Sequence, residues 1–308
     1  MRAARFHAWG VLPTVDEVAE PAARDGYVTV RMTAAALSHL DLTVAGGTWH
    51  PHPELPYIGG VEGCGVTESG TQVLVRGGGL GLVRDGTWAE LVHVAPKALT
   101  PVPADVPAEV AATFFQPAST AYVAVHDIGR AGRDDVVIVV GAAGAVGGQA
   151  VQQALRAGAT VTGVVRRSED LDRIPAGAGR IALADPDAVT ALTTERPASL
   201  LIDTVGGPDT VGRSRWVAPG GRAVVLGYTA GPTVTVDLPS WLLDDVALVP
   251  VNMIRLGRRA RELEAELTTA LLAGELTVAV ETFPLEAIGT GLERLRAGTL
   301  HGRGAVLL

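Results

Sequence analysis

The chain has 308 residues, of which 47% are hydrophobic and 19% are charged, so it is long enough for two domains and too apolar for a disordered protein. Its formal net charge of −8 gives no attraction to a nucleic-acid backbone or an anionic membrane, and the sequence has no apolar run of about 18 residues that would span a bilayer. The single cysteine, Cys64, excludes an internal disulfide and a zinc site built from several cysteines.

Up to about residue 118, the sequence consists of short segments that glycine and proline interrupt. Residues 27–32, 72–76 and 87–94 alternate apolar and polar side chains, which predicts short β-strands. Residues 77–81 are rich in glycine, but no helix start follows them, so we interpret them as a turn. The N-terminus lacks a hydrophobic run that ends at a cleavage site, so we expect a cytoplasmic protein.

After residue 118, predicted strands and helices alternate. The predicted strands are residues 135–141, 160–165, 180–183, 200–205 and 222–227. The predicted helices are residues 145–157 and 257–273, a turn is predicted at 219–221, and a closing strand at 303–308. Repeated strand–helix units indicate an α/β fold with a doubly wound parallel sheet that helices cover on both faces.

Residues 141–147, Gly-Ala-Ala-Gly-Ala-Val-Gly, lie between a predicted buried strand and a predicted helix. Gly144 permits a tight turn and a close approach of the backbone to a pyrophosphate, and Gly147 lets the helix pack against the strand. The N–H groups at the helix start, at Ala145 and Val146, would face the phosphates. The alternative is a tight strand–helix turn that binds nothing, but the βαβ context favours a dinucleotide.

The end of the second strand of this unit indicates which dinucleotide binds. Enzymes that use NAD place an acidic residue there, whereas this sequence has Arg166, Arg167 and Ser168. Two guanidinium groups and a hydroxyl suit a 2′-phosphate, so we favour NADP(H). The alternative is that these are solvated loop charges, and Glu169 and Asp170 follow closely enough to weaken the positive patch.

Several short motifs follow one another along the chain. They are Thr-Trp-Ala-Glu-Leu-Val-His-Val at 87–94, Gln-Pro-Ala-Ser-Thr-Ala-Tyr at 116–122, Asp-Thr-Val-Gly at 203–206, Pro-Gly-Gly-Arg at 219–222, Leu-Gly at 226–227 and Gly-Arg-Gly-Ala-Val at 302–306. In this order and spacing they resemble the medium-chain dehydrogenase/reductase superfamily over nearly the full length of the chain.

The resemblance implies a GroES-like β-barrel catalytic domain at residues 1–118 and 252–308, and a Rossmann NADPH-binding domain at residues 119–251. It places a small-molecule substrate in the cleft between the domains, against the nicotinamide. It also implies a homodimer formed through an edge strand of the Rossmann sheet. Residues 247–254 are the candidate edge strand, because Pro250 is tolerated only at an edge or a bulge.

The sequence departs from the zinc alcohol dehydrogenases of this superfamily at their metal ligands. Ser38 occupies a cysteine position, Val61 occupies the histidine position of a Gly-His-Glu motif, and the four-cysteine lobe is absent. Leu40 stands where the alcohol-type proton relay has a hydroxyl residue. The resemblance is therefore to the zinc-free quinone oxidoreductase-like branch, with no metal. This branch implies reduction of a quinone, or of the C=C bond of an α,β-unsaturated carbonyl, by hydride transfer.

The resemblance also assigns candidate site residues. Ser38 and His39 would be hydrogen-bond donors to the substrate oxygen or the cofactor, although a capping or packing role for His39 is equally plausible. Thr120, Val205 and Gly227 fall at cofactor-binding positions, and an ordinary helix threonine is the alternative for Thr120.

Other polar and aromatic residues have mainly structural interpretations. We interpret Asp41 and Glu62 as residues that shape the cleft, His50 and His52 as exposed residues without a third metal ligand, and Cys64 as a small buried residue. Trp49 and Tyr57 suit either a substrate pocket or the core.

Two other functions remain open. A zinc-free ketone reductase, or a biosynthetic tailoring enzyme, would use the same cleft. A protein of another class would bind NADPH without turnover, as a sensor or a structural protein.

Overall fold

The computed structural model describes residues 1–22 and 24–308. They divide into two compact units, one of Met1–Phe115 with Val278–Leu308 and the other of Gln116–Thr277. The domain boundaries predicted after residues 118 and 251 refer to domains of the superfamily rather than to compact units, and they stay predictions. In the described part of the chain, no helix is both long enough and apolar enough to cross a membrane.

The strands are β1 (Arg2–Phe6), β2 (Thr14–Glu17), β3 (Val28–Leu37), β4 (Tyr57–Ile58), β5 (Glu62–Thr67), β6 (Gln72–Arg76), β7 (Leu91–Val94), β8 (Leu99–Pro101), β9 (Val136–Val140), β10 (Thr160–Val165), β11 (Gly179–Ala182), β12 (Ala198–Asp203), β13 (Val217–Val225), β14 (Ala247–Pro250), β15 (Val280–Pro284) and β16 (Arg303–Leu307). The helices are α1 (His39–Ala45), α2 (Ala108–Tyr122), α3 (Ala145–Arg156), α4 (Pro186–Glu195), α5 (Thr210–Ser214), α6 (Leu238–Asp244), α7 (Gly257–Glu262), α8 (Glu264–Leu272) and α9 (Ile288–Ala297). A π-helical segment, Val123–Ile128, continues α2.

The unit Gln116–Thr277 contains a six-stranded sheet in the order β11-β10-β9-β12-β13-β14, and every neighbouring pair is parallel. β9 is a Val-Val-Ile-Val-Val run at the centre of this sheet, and residues 137–140 are buried, as expected for a strand covered on both faces. This strand order is that of the Rossmann fold, so the predicted doubly wound parallel sheet is confirmed.

Helix α3 shows why the sequence predicted the alternation of strands and helices correctly. Ala150, Val151 and Ala154 recur at helical spacing and pack into the core cluster beside β9 and β10. The helix ends at Arg156, and Gly158 takes the left-handed conformation with a φ of +82° that terminates the turn.

The other unit contains a sheet in the order β15-β16-β3-β5-β6-β8, with β7 also paired to β3, and a three-stranded sheet in the order β2-β1-β4. Trp88 lies at its core, where the indole N–H donates to the carbonyl oxygen of Ala36 at 3.0 Å and the ring packs against Phe6. This mostly antiparallel β unit agrees with the expected GroES-like domain.

Three predictions about individual elements were wrong in detail. The turn predicted at 219–221 lies inside β13 rather than before the strand, because the pairing of β13 with β12 jumps from Ala198–Val217 to Leu200–Arg222 and leaves these residues unpaired with β12. The predicted helix 257–273 is divided into α7 and α8 at Leu263. Of residues 87–94, only Leu91–Val94 form a strand, whereas the turn predicted at 77–81 is confirmed.

Candidate active site

The predicted cofactor residues gather at one edge of the parallel sheet. The strand order reverses between β9 and β12, and parallel α/β sheets bind ligands at the carboxyl ends of the strands beside such a point. β9, β10, β12 and β13 are followed there by the segments that carry the predicted residues. They are Gly144 to Gly147, Arg166 to Ser168, Val205, and Gly227.

The loop after β9 is packed so closely that glycine is required at its buried end. A Cβ on Gly147 would lie 2.0 Å from the carbonyl oxygen of Gly141, whereas a Cβ on the exposed Gly144 would lie 3.2 Å from it. Within the described residues, the backbone N–H groups of Ala145, Val146 and Gly147 have no hydrogen-bond acceptor. These N–H groups at the start of α3 can therefore bind an anion such as a pyrophosphate.

The segments after β12 and β13 also approach each other with no space for side chains. A Cβ on Gly227 would lie 1.8 Å from the carbonyl oxygen of Thr204, and one on Gly206 would lie 2.0 Å from the carbonyl oxygen of Gly227. The structure therefore brings Val205 and Gly227 together beside the glycine loop, where the Thr204 hydroxyl donates to the Val140 carbonyl oxygen at 2.7 Å.

A buried ion pair supports the segment after β12. One carboxylate oxygen of Asp203 accepts hydrogen bonds from the backbone N–H groups of Val205 and Gly206, both at 2.9 Å. The other accepts from the guanidinium of Arg213 at 2.8 Å. Asp203 is 0% exposed and Arg213 is 6% exposed, so the two charges compensate each other away from water.

The three predicted 2′-phosphate residues have different surroundings. Arg166 and Ser168 are exposed, and neither side chain has a hydrogen bond or ion pair within residues 1–22 and 24–308. Arg167 instead donates to both carboxylate oxygens of Asp170, at 2.8 and 3.1 Å. All three residues therefore lie at the end of β10, but their side chains are not equally available to bind a phosphate.

Ser38, predicted as a donor, is the N-terminal cap of α1. Its hydroxyl donates to Asp41 Oδ2 at 2.6 Å and accepts the backbone N–H of Asp41 at 3.3 Å. His39 is exposed, but the surrounding protein removes part of the water around its ring, and this desolvation lowers its pKa. The positive charge of Arg303 lowers the pKa further, by a smaller amount. A neutral imidazole with an N–H donor is therefore the expected form of His39 near neutral pH.

The residues at the two replaced zinc positions do not fit zinc. Ser38 has its only hydroxyl proton in the bond to Asp41, and Val61 is a buried apolar side chain. Across the described ranges, no group of three or more His, Cys, Asp or Glu side chains is arranged to hold a metal ion. The predicted zinc-free site therefore rests on the residue types at these positions.

Next to Val61 in the sequence is Glu62, which with Asp41 makes two buried carboxyls that both feel the positive charge of Arg303. Glu62 accepts from the Arg303 guanidinium at 2.6 Å, which agrees with the interpretation of Glu62 as a residue that pairs and shapes the site. Burial raises the pKa of Glu62 to about 7 and that of Asp41 to about 6, although Arg303 opposes both shifts. Arg76 also opposes the shift of Glu62, so burial is the main reason that both carboxyls hold a proton more readily than they would in water.

The other candidate residues have mainly structural positions. The Thr120 hydroxyl donates to the carbonyl oxygen of Gln116 in its own helix at 2.8 Å, as an ordinary helix threonine does. Tyr57 is buried in the core, and Trp49 packs against the same cluster.

Two further interpretations concern side chains that might have been reactive or metal-binding. Cys64 is buried, and burial raises its pKa to about 12, so its thiol is not activated as a nucleophile. His50 and His52 are exposed, with ring centroids 5.5 Å apart.

Sequence reasoning did not identify Arg213 or Gly206 as site residues. Arg213 lies in a stretch without a motif, and its role depends on the approach of α5 to the end of β12. Gly206 was visible only as the last residue of a short motif. A residue-by-residue accounting of possible partners for a buried Asp203 would have been the only available signal.

Comparison with known proteins agrees with this geometry. Residues 176–306 match a family model described as zinc-binding dehydrogenase. The mitochondrial enoyl-(acyl-carrier-protein) reductase of Xenopus tropicalis is 30% identical over 238 residues, which cover 73% of this chain and 68% of that protein. The chain spans 68% and 63% of the length of two mitochondrial enoyl reductases, and 59% of the length of a zinc-type alcohol dehydrogenase-like protein of Schizosaccharomyces pombe.

Two solved structures align with the whole chain. The quinone oxidoreductase of Thermus thermophilus, also solved in complex with NADPH, has a TM-score of 0.84 and 27% identity, with 100% of both chains covered. An NAD-dependent alcohol dehydrogenase has a TM-score of 0.86 and 26% identity, also with 100% of both chains covered. The chain therefore belongs to the medium-chain dehydrogenase/reductase superfamily of oxidoreductases and is quinone oxidoreductase-like.

Proposed function

We propose that this protein is an NADPH-dependent oxidoreductase that reduces a quinone, or the C=C bond of an α,β-unsaturated carbonyl, without zinc. Two observations together carry the proposal. The glycine loop after β9 is closely packed, and Ser38 and Val61 stand where the zinc alcohol dehydrogenases of the superfamily have metal ligands. The enoyl reductase and quinone oxidoreductase relatives support this choice of substrate class.

Bound NADPH would supply a hydride to an electron-poor carbon of the substrate. The protein then needs only to bind the cofactor, exclude water and stabilise the negative charge that develops on the substrate oxygen. The Ser38 hydroxyl already donates to Asp41, so we propose that His39 is the better placed of the two predicted donors. A neutral His39 would donate its N–H to the substrate oxygen or to a cofactor phosphate, and solvent would complete the protonation.

The proposal is tested by following NADPH oxidation by the purified protein across a panel of quinones and enones, with NADH in parallel and the products identified. We expect turnover with NADPH to a hydroquinone or a saturated carbonyl. Equal use of NADH would contradict the cofactor choice. Prior treatment with a strong chelator should leave the rate unchanged, and loss of activity that Zn²⁺ restores would contradict a zinc-free site.

A ketone reductase, or a tailoring enzyme that uses the same site residues, is a second candidate, which the similarity to an NAD-dependent alcohol dehydrogenase favours. The product separates it from the main proposal, because it would release an alcohol rather than a saturated carbonyl. Tight NADPH binding with no oxidation by any acceptor would instead indicate a sensor or structural protein.

We also propose that the protein forms a homodimer through β14. Among residues 1–22 and 24–308, this strand is the last in its sheet and pairs only with β13, so its other edge is open to a strand of a second copy. Beside it in the sequence, α6 has no buried residue, and Leu242 and Leu243 are 70% and 85% exposed. A second copy would cover these leucines, which are costly to leave in water.

A further inference from the structure

We infer that Asp170 determines how this protein recognises the 2′-phosphate of NADPH: it occupies Arg167, so that Arg166 is the residue that binds the phosphate. This inference rests on the proposed use of NADPH. It goes further in assigning different roles to two adjacent arginines that the sequence alone treats as equivalent, and in naming the acidic residue that separates them.

The charges around the end of β10 are almost fully paired among themselves. Arg167 lies 2.8 Å from Asp170 and 3.2 Å from Glu169, and Arg173 lies 2.7 Å from the same Asp170. Farther along, Arg180 lies 3.0 Å from Asp172.

Four arginines and three carboxylates therefore leave one positive charge in excess. That charge belongs to Arg166, which has no carboxylate partner in the part of the chain that the structure describes.

Asp170 is held more firmly than an exposed loop carboxylate. Its side chain is only 13% exposed and lies between the guanidinium groups of Arg167 and Arg173. The hydrogen bond from Arg167 is the main reason that the pKa of Asp170 stays below its ordinary value, and the hydrogen bond from Arg173 contributes less. Asp170 is therefore ionised at neutral pH, and a phosphate that engaged Arg167 would have to replace a bidentate contact with a mostly buried carboxylate.

Arg166 needs no such exchange. It directly follows Val165, the last residue of β10, and the neighbouring Val164 carbonyl oxygen accepts the N–H of Gly141 at 2.9 Å. Arg166 therefore begins next to the glycine loop that would hold the pyrophosphate, and its side chain is exposed. The exposed hydroxyl of Ser168 is a second donor to the same phosphate, and its proton is not committed elsewhere among the described residues.

The inference is tested by calorimetric titration of the full chain with two nucleotides. The first, 2′,5′-ADP, carries the 2′-phosphate found in NADPH, and the second, 5′-AMP, lacks it. The wild-type protein is expected to bind 2′,5′-ADP more tightly.

Arg166→Ala should weaken 2′,5′-ADP binding by about tenfold, as expected for loss of one charged hydrogen-bonded contact. It should leave 5′-AMP binding unchanged, and Arg167→Ala should cost less than Arg166→Ala.

Asp170→Asn provides the sharper test, because it releases Arg167. We expect it to strengthen 2′,5′-ADP binding several-fold without changing 5′-AMP binding. Asp172→Asn is the matched control, because it removes the same charge from the same segment but affects Arg180 rather than Arg167. It should change the preference for 2′,5′-ADP less than Asp170→Asn does.

Selective weakening of 2′,5′-ADP binding by Asp170→Asn would overturn the inference, since Asp170 would then orient Arg167 as a phosphate ligand. A larger loss with Arg167→Ala than with Arg166→Ala would also overturn it, and this comparison holds even if Asp170→Asn disturbs the segment. Equal wild-type binding of the two nucleotides would instead contradict the proposed use of NADPH. None of these outcomes depends on finding the substrate.

Discussion

The guanidinium of Arg213 contacts both the buried carboxylate of Asp203, at 2.8 Å, and the carbonyl oxygen of Gly206, at 2.6 Å. Asp203 in turn accepts the N–H groups of Val205 and Gly206. The Asp203–Arg213 ion pair therefore holds the segment after β12 through two backbone N–H groups and through the carbonyl oxygen of Gly206. The position of Val205 relative to the glycine loop therefore depends on Arg213, which lies ten residues after Asp203 in the chain.

Removal of this arginine should destabilise the protein strongly. Arg213→Met leaves the Asp203 carboxylate buried without a positive partner, so we expect the free energy of unfolding to fall by about 3–5 kcal/mol. Arg215→Met is the control, because Arg215 pairs with Asp244 with its side chain 44% exposed and should cost less than about 1 kcal/mol. Urea denaturation of both variants measures the difference, and similar losses would contradict the structural role of Arg213.

The two glycines of the cofactor loop should differ in what they affect. Gly147→Ala places a Cβ 2.0 Å from the Gly141 carbonyl oxygen, so it should lower the melting temperature and impair dinucleotide binding together. Gly144→Ala meets the same oxygen at 3.2 Å, on a residue with an ordinary φ of −83°, so it should affect stability little. Its methyl group would still face the proposed pyrophosphate. If Gly144→Ala melts as early as Gly147→Ala, the packing argument is wrong.

Glu62 should give the folded protein a measurable pH dependence. Its pKa is raised from 4.5 to about 7, so the folded state binds the proton more tightly than the unfolded state does. The stabilisation is complete below pH 4.5 and is lost as the pH rises through about 7.

Glu62→Gln carries no titratable proton and should remove that part of the slope. The difference in unfolding free energy between variant and wild type should shift in favour of the variant from pH 5 to pH 8, by at most about 1.4 kcal/mol per pH unit. Denaturation curves at several pH values measure it. Asp41 and the carboxyls of lowered pKa remain in both proteins, so only the difference is diagnostic. If the unfolding free energies of the variant and the wild type change with pH in parallel, Glu62 does not titrate in this range.

The proposed dimer can be tested on α6. Leu243→Asp puts a charge on a side chain that is 85% exposed, so it should not unfold the monomer but should weaken association with a second copy. Leu272→Asp, on a leucine that is 49% exposed in α8, is the control and should leave association unchanged. Sedimentation velocity over a range of protein concentrations reports the result. A wild-type protein that stays monomeric at high concentration would remove the basis for this interface.

The parts of the fold that the sequence predicted have a local cause. The apolar run of β9 and the glycine spacing before α3 act over a few residues, so strand, loop and helix could be located without the structure. The division between α7 and α8 at Leu263 was missed because the apolar pattern continues through it. Gly220 and Gly221 lie where the pairing of β13 with β12 is interrupted, and Gly220 has a φ of +81°, so the turn preference acts inside the strand rather than before it.

The site was harder to predict, because its polar groups choose partners that are distant or ambiguous. Glu62 and Arg303 are 241 residues apart, and no local pattern links them. Ser38 and Arg167 were identified as polar residues able to bind a ligand, but each has an intramolecular partner three residues away. Residue type shows the capacity for a hydrogen bond, whereas only the folded chain shows whether that capacity is already used.

The pairing of β16 with β3 has a consequence for biosynthesis. Residues Ala34 to Leu37 of β3 pair with Gly304 to Leu307, so this edge of an early strand stays open until the last strand of the fold has left the ribosome. All of Gln116–Thr277 emerges in between and can fold first, because its sheet needs no later residue. A nascent chain paused at this stage would expose an apolar, unpaired strand edge, which is a surface that chaperones bind and that promotes aggregation.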